Sequence, residues 1–306
     1  MSSSVTDTLV LTAAPGSGHL TQAIIDTVRE VVSGASGTWL AAGQAWEMRL
    51  DPSERAIEDV RSSIEEAMGS APIDVNAVSA RTASRRKRLL CADMESTIIR
   101  EELIDEMAEA VGCRTEIAAI TDAAMRGEID FEGALVKRVA LFKGFAAERL
   151  GTILRRATFM PGAATLIRTM AAHGAKCALV SGGFTCFADP IARRLGFDTV
   201  VANELVIEGG KLTGEIRQPI VGADGKAQAL ARLAAENGLD LAETLAVGDG
   251  ANDLVMVRAA GLGVAFRAKP ILAAAARLSP SGAVVTHGDL TALLSLLGIP
   301  EAAYAA

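Results

Sequence analysis

Asp93 and Glu95 stand two positions apart, directly after the apolar run Leu89-Leu90-Cys91-Ala92, in the segment Asp93-Met94-Glu95-Ser96-Thr97. Alternate side chains of an extended strand point to one face, so a strand running out through this segment would aim both carboxylates the same way. Two more apolar runs end in reactive residue types. Ala178-Leu179-Val180 leads into Ser181-Gly182-Gly183, and Leu245-Ala246-Val247 leads into Gly248-Asp249-Gly250-Ala251-Asn252-Asp253. Ligands of open α/β sheets bind at the carboxyl ends of the strands, so acids placed there suit chemistry better than packing.

The combination suits hydrolysis of a phosphate monoester. That reaction is so slow unaided that enzymes supply rate factors up to ~10²¹, which calls for a nucleophile, an acid, a metal and a fixed cation together. Asp93 is the candidate nucleophile: its carboxylate would attack phosphorus and form an aspartyl-phosphate, splitting one hard step into two. Glu95 is the candidate acid, protonating the leaving alkoxide and then activating water. Mg²⁺ is the expected metal, because it prefers oxygen ligands and binds through one or two carboxylates plus substrate phosphate. Its candidate ligands are Asp93, Asp249 and the backbone carbonyl of Glu95, with Asp253 ligating directly or from behind. Ser181 and the N–H groups of Gly182 and Gly183 would cradle phosphoryl oxygens. Lys226, near the start of a predicted helix over 224–237, would add fixed positive charge. Singly, each has a plainer reading. Asp93 could be a strand-end acid, Ser181-Gly182-Gly183 and Asp249-Gly250 turns, Asn252 or Asp253 a helix cap, and Lys226 a solvated lysine. Their joint occurrence, in this order on consecutive α/β units, favours chemistry.

Such residues need a scaffold of parallel strands. From residue 88 onward apolar runs alternate with helical patterns, which predicts an α/β fold with a Rossmann-like parallel sheet and helices on both faces. The predicted strands are 88–93, 175–181, 199–203, 244–248, 262–266 and 283–286. A helical insertion over about 98–158 carries Leu103, Ile104, Met107 and Val111, then Leu135, Val136 and Val139, at helical spacing. Its position after the first acidic strand end marks it as a cap. Residues 204–216 read as a hairpin about Gly209-Gly210.

Ahead of this lie a strand over 5–13, an amphipathic helix over 19–33 (Ile24, Ile25, Val28, Val31, Val32) and a hairpin of 37–42 and 45–50 turning at Ala42-Gly43-Gln44. A helix from Pro52 to about Met68 and a strand over 73–80 complete the order βαββαβ, the ferredoxin-like pattern, similar to small ACT-like domains. The expected organisation is therefore an N-terminal ferredoxin-like domain over 1–80, a linker over 81–87 and a catalytic domain over 88–306. The basic run Arg85-Arg86-Lys87-Arg88 reads as part of a solvated linker.

Half of the 306 residues are hydrophobic but only 4% are aromatic, so the core must be built from Ala, Leu, Val and Ile. A net charge of −7 argues against nucleic acid or an anionic membrane as the main partner. Cys91, Cys113, Cys177 and Cys186 are scattered without pairing, as expected of reduced, mostly buried thiols in a cytoplasmic protein. Neither a membrane span nor a secretory signal is expected. Gly16-Ser17-Gly18 lacks the lysine of a nucleotide P-loop, and His19 beside it reads as a polar helix-start residue.

The four segments DxDx(T/V), S-G-G, a lone Lys and GDGxND together resemble the signature of the haloacid-dehalogenase-like phosphatases, and among them the branch acting on O-phosphoserine. The likeness spans about 88–295 and includes LVSGGF at 179–184, KLTGE at 211–215, AVGDGANDLVM at 246–256 and AKPIL at 268–272. It implies a Rossmann-like core with a helical cap, Mg²⁺ dependence, and hydrolysis of O-phosphoserine to serine and phosphate, the last step of serine biosynthesis. It further implies that Glu102 receives the substrate ammonium, that Arg138 binds the substrate carboxylate, that Met125 and Phe131 close over the substrate, and that Asn252 contacts it. The residue types agree in sign, since a zwitterion needs one anion and one cation beyond the phosphate site, and Arg suits a planar carboxylate. Plainer readings are a helix-start acid for Glu102 and an exposed helix face for Arg138.

One departure stands out: the second acid of the family motif is Asp, and here it is Glu95. The arm is longer by roughly 1.5 Å, but a carboxylate is retained, so activity is expected. Two other functions fit the same sequence. One is transfer of the phosphoryl group to an alcohol such as homoserine, or action on another small phosphate. The other is a weakly active protein whose N-terminal domain senses an amino acid. A homodimer is left open.

Overall fold

The computed structural model describes residues 7–32, 36–50, 57–78 and 85–305. The predicted helix start at Pro52 and most of the predicted linker lie outside these residues. The chain opens with β1 (Thr8–Ala13), α1 (Gln22–Val31), β2 (Gly37–Ala41), β3 (Ala45–Arg49), α2 (Ile57–Met68) and β4 (Ile73–Val78). These four strands form an antiparallel sheet in the order β2-β3-β1-β4, the expected ferredoxin-like topology. Strand alternation explains its two faces. Leu9, Leu11, Trp46, Met48, Ile73 and Val75 point to the helix-covered side and pack with Ile25, Val28 and Ile64.

The second unit begins with β5 (Leu89–Ala92) and continues into the insertion with α3 (Leu103–Val111), α4 (Arg114–Met125), α5 (Phe131–Ala140) and α6 (Leu150–Leu154). Next come α7 (Ala163–Ala172), β6 (Lys176–Phe184), α8 (Thr185–Leu195), β7 (Thr199–Asn203) and the hairpin β8 (Leu205–Glu208) and β9 (Lys211–Ile216). The chain then runs through α9 (Ala223–Glu236), β10 (Thr244–Gly248), α10 (Leu254–Ala259), β11 (Leu262–Phe266), α11 (Pro270–Arg277), β12 (Gly282–Val285) and α12 (Ala292–Leu296).

Six strands form a parallel sheet in the order β12-β11-β10-β5-β6-β7. Both faces are buried, which is why β5 reads as an uninterrupted apolar run. Leu89 and Cys91 pack among Leu230, Leu233, Met256 and Leu272 on one side, while Leu90 and Ala92 join Leu166, Phe187, Ile191 and Leu293 on the other. From β5 the chain moves outward through β6 and β7, then returns to β10 and moves outward the other way. Strand order thus reverses between β5 and β10, where a crevice opens at the carboxyl ends.

Two strand ends differ from expectation. β5 stops at Ala92, leaving Asp93 and Glu95 beyond it in a turn, whereas β6 runs on through Ser181-Gly182-Gly183 to Phe184. In the insertion, Leu103, Ile104, Met107, Leu135 and Val139 are buried, while Val111 and Val136 face solvent. The β8–β9 hairpin belongs with the insertion: Gly144 N–H donates to the Leu212 carbonyl and Leu212 N–H to that of Phe145. Two linker segments carry the cap, joined by a bridge between Ile99 and Phe159. Glu101 clasps them, accepting from the Thr158 amide at 2.7 Å and its hydroxyl at 2.5 Å.

The open face of the N-terminal sheet docks on the edge of the parallel sheet. Asn76 acts as a surrogate strand, donating to the Val284 carbonyl and accepting from the Val284 amide, both at 2.8 Å. Asp74 receives the amides of Thr286, His287 and Gly288. Arg85 donates to the carbonyls of Leu296 and Ser295 and pairs with Glu47 at 2.6 Å. The edge strand β12 is therefore paired rather than left open. No helix among the described residues is long and apolar enough to cross a membrane.

Replacing Asp74 by Ala strips those amides of their acceptor and is expected to cost about 1–3 kcal/mol. The midpoint of denaturant unfolding checks this; an unmoved midpoint would mean the docking adds nothing to stability.

Candidate active site

The carboxyl ends of β5, β6 and β10 bring the acids of the sequence together. The amide of Asp93 donates to the Val247 carbonyl at 3.0 Å, so the first residue past β5 stays tied to β10. From the first turn of α9, Lys226 enters fully buried (0% exposed). Its Nζ donates to Asp93 Oδ1 at 2.5 Å and to Asp253 Oδ1 at 2.7 Å. The other oxygen of Asp253 accepts the amides of Asp249 and Gly250, at 3.2 and 3.0 Å, and so holds the loop after β10 in shape. Asp93, Asp249 and Asp253 offer oxygens that all lie within 4.8 Å of one another.

Three carboxyl groups crowd around one buried ammonium, with the exposed Lys269 as the further cation beside Asp249. Burial, then Asp253, pushes the Asp93 carboxyl up to about 8 against the pull of Lys226. Burial likewise lifts Asp249 to about 6, opposed by Lys269, whose ammonium stands 3.8 Å away. Burial alone would lower Lys226, but Asp253 and Asp93 hold its ammonium above the ordinary lysine value. Lys226 therefore keeps its proton, and the strain of the uncompensated charge falls on the acids. An oxygen-only donor set of crowded carboxyl groups matches the chemistry of a hard divalent cation. Asp253 already uses both oxygens on Lys226 and the loop amides, which suits it to bracing such a site.

Glu95 leaves the turn after β5 in a different direction. Its Oε1 accepts the amide of Leu103, the first residue of α3, at 2.7 Å. Its Oε2 faces β6: a Cβ at Gly183 would lie 2.9 Å from that oxygen and 3.1 Å from Ser181 Oγ, so only glycine lets the two groups converge there. Burial, then the charge of Glu102, pushes the Glu95 carboxyl up to about 8, which favours its protonated form. The extra methylene of Glu is used to reach the helix start.

Ser181 is buried, and its Oγ accepts the Gly183 amide at 2.9 Å. That amide, expected on a phosphoryl oxygen, is thus committed to Ser181, which leaves the hydroxyl proton free to donate. The carbonyl of Gly182 accepts from Asn203 Nδ2 at 2.8 Å, and Asn203 Oδ1 accepts the Val221 amide at 2.7 Å. Asn203 thereby fixes β6 to the loop preceding Lys226. Sequence reasoning passed over it, although a buried polar residue at a strand end was the available signal.

The cap contributes from above. Phe131, the first residue of α5, lies on the core glycines: a Cβ at Gly182 would sit 3.0 Å from its ring, and one at Gly222 3.1 Å. Arg138 is half-buried and its Nε donates to the Ala134 carbonyl at 3.3 Å. Burial lowers its guanidinium while Asp105, Glu95 and Glu102 favour the charged form. Glu102 sits at the N-cap of α3, yet its side chain caps nothing; its Oε1 accepts the Ser96 hydroxyl at 2.7 Å. Asn252 lies half-buried in the short turn Ala251–Asp253. Met125 ends α4, and its side chain lies outside what the structure describes. Burial pushes the Cys186 thiol to about 12, in keeping with a packed thiol.

A profile for haloacid dehalogenase-like hydrolases matches residues 90–258, more than half of the chain. The chain is 40% identical over 253 residues to a phosphoserine phosphatase of Mycobacterium tuberculosis, a match covering 83% of this chain and 61% of that one. It thus spans about three fifths of that relative's length. Among solved structures, a haloacid dehalogenase family hydrolase of Salmonella enterica serovar Typhi superposes with a TM-score of 0.82 at 27% identity, covering 95% of this chain and 98% of the other. A phosphoserine phosphatase captured as a phospho-aspartyl intermediate analogue has a TM-score of 0.62 at 37% identity, covering 68% of this chain and 98% of the other.

Lys226→Met would leave the acids facing one another without a cation. A loss of about 3–5 kcal/mol of folding stability at neutral pH is expected, read from chemical denaturation. A loss under about 1 kcal/mol would show that Lys226 does not hold this cluster together.

Proposed function

Because the chain belongs to the haloacid dehalogenase-like hydrolase family, we propose that it hydrolyses O-phosphoserine to serine and inorganic phosphate, the closing step of serine biosynthesis, in the cytoplasm. The observation that carries this reading is that an acid and an arginine of the cap, Glu102 and Arg138, both stand close enough to Glu95 to act on one another electrostatically. A phosphomonoester alone needs neither; an amino acid carrying phosphate needs both. The reading takes residues 88–306 as the catalytic domain, with the cap over about 98–158, and residues 1–80 as a separate ligand-binding or docking domain.

In the first step, Asp93 attacks phosphorus while Lys226 on Oδ1 keeps the carboxylate oriented. The P–O bond to serine breaks, and Glu95 passes its proton to the departing alkoxide. Ser181 donates a hydrogen bond from its hydroxyl to a phosphoryl oxygen. In the second step, Glu95, now a carboxylate, takes a proton from water, whose oxygen attacks phosphorus. The acyl-phosphate bond breaks, and Asp93 and phosphate are released. Mg²⁺, held by Asp93, Asp249 and the Glu95 carbonyl with Asp253 bracing, would supply positive charge against the phosphoryl oxygens. Phe131 excludes water on the cap side of Gly182.

Assay of phosphate release from a panel of small phosphomonoesters tests the substrate: O-phosphoserine should rank at or near the top, and a low rank sinks the named activity. Asp93→Asn should abolish turnover, and Glu95→Gln should lower it by about 10²–10⁴, while Glu95→Asp stays active. Thermal melts with and without Mg²⁺ check the metal independently of turnover. The melting temperature should rise on adding Mg²⁺, and Asp249→Asn should abolish the rise.

A further inference from the structure

Ser96 is one of two non-glycine residues with positive φ among the described residues, at 55°. A left-handed backbone at a residue bearing Cβ costs roughly 1–2 kcal/mol, so something must hold it there. Its hydroxyl donates to Glu102 Oε1 at 2.7 Å across the turn that separates β5 from α3. The start of α3 offers Glu102 a competing use, because an acid at an N-cap ordinarily accepts the helix's own amides. Here the Glu102 side chain makes no cap bond, and the neighbouring amide of Leu103 donates to Glu95.

The physical consequence concerns charge and direction. A neutral donor on one oxygen fixes the plane of the carboxylate without cancelling its charge, which leaves the second oxygen for a cation. A lysine or arginine in that place would neutralise it. Ser96 is also three residues from Asp93, so one short turn sets the spacing between the nucleophile and this anion. We propose that Ser96 is a positioning residue that aims Glu102 at the amino group of the substrate and so sets the preference for aminated phosphomonoesters. This rests on the reading of the site as one for O-phosphoserine.

The test compares kcat/KM for O-phosphoserine with that for its deamino analogue, the phosphate ester of 3-hydroxypropanoate, in wild type, Ser96→Ala, Ser96→Gly and Ser96→Asn. The ratio of the two should fall about tenfold in both Ala and Gly variants, mainly through KM for O-phosphoserine. Gly relieves the backbone cost, so a wild-type ratio in Ser96→Gly would overturn the proposal by showing that the hydroxyl is dispensable. Asn tolerates left-handed backbone and keeps a donor, and should hold the ratio within about threefold of wild type. In a Glu102→Gln background, Ser96→Ala should change the ratio no further. Equal losses on both substrates would mark a merely structural role and also overturn it. A wild-type enzyme with no preference for O-phosphoserine over the analogue would instead sink the substrate reading itself.

Discussion

A buried ammonium shared between two carboxylates is the constraint on which the rest of the site depends. Lys226 has no exposure, and neither water nor counter-ions can substitute for Asp93 and Asp253 around it. Charges taken out of water at such cost must meet in good geometry or the fold loses stability. Because Asp93 follows β5, Asp253 follows β10 and Lys226 opens α9, satisfying one cation locks three separate segments into a single arrangement. The crowding of carboxyl groups that results is also what gives the crevice its appetite for a divalent cation.

Around this centre the remaining polar groups are arranged to leave specific atoms free. Asn203 ties Gly182 to the loop before α9, the Gly183 amide orients Ser181, and Leu103 holds one oxygen of Glu95. For Ser181 and Glu95 each such contact occupies one polar atom or lone pair and leaves another uncommitted. Preorganisation of this kind matters because donors already aimed where charge develops need no reorganisation during reaction. The cap is tied in through the same residues, since Glu95 spans from the nucleophile's turn to the first amide of α3.

The cap and the N-terminal sheet are built on a common device, in which backbone left unpaired by one unit is paired by another. The β8–β9 hairpin hydrogen-bonds to the segment after α5, and Asn76 completes the edge of β12. In both cases polar backbone that would otherwise face a partner unpaired is satisfied. The N-terminal sheet thus shields an edge that could otherwise recruit another chain.

The apolar runs at 89–92, 178–180 and 245–247 sufficed to place the central strands, because burial on both faces removes polar residues from a parallel strand and leaves a local signal. The motif acids, Ser181 and Lys226 were legible as a set, since each sits at a strand end or helix start that the run marks. The chain's own order therefore determined the α/β class, the position of the cap and the identities of the groups around Asp93. Other features came only from tertiary structure: the length of β6 beyond Ser181, the commitment of the Gly183 amide, the membership of the hairpin in the cap, and the parts played by Asn203, Asp74, Asn76 and Ser96. Hydrophobic periodicity reports which side chains are buried but not what they meet. Among the described residues a polar group's partner lies up to 216 positions away, as with Arg61 and the Arg277 carbonyl, and only the folded chain decides which of its atoms are already spent.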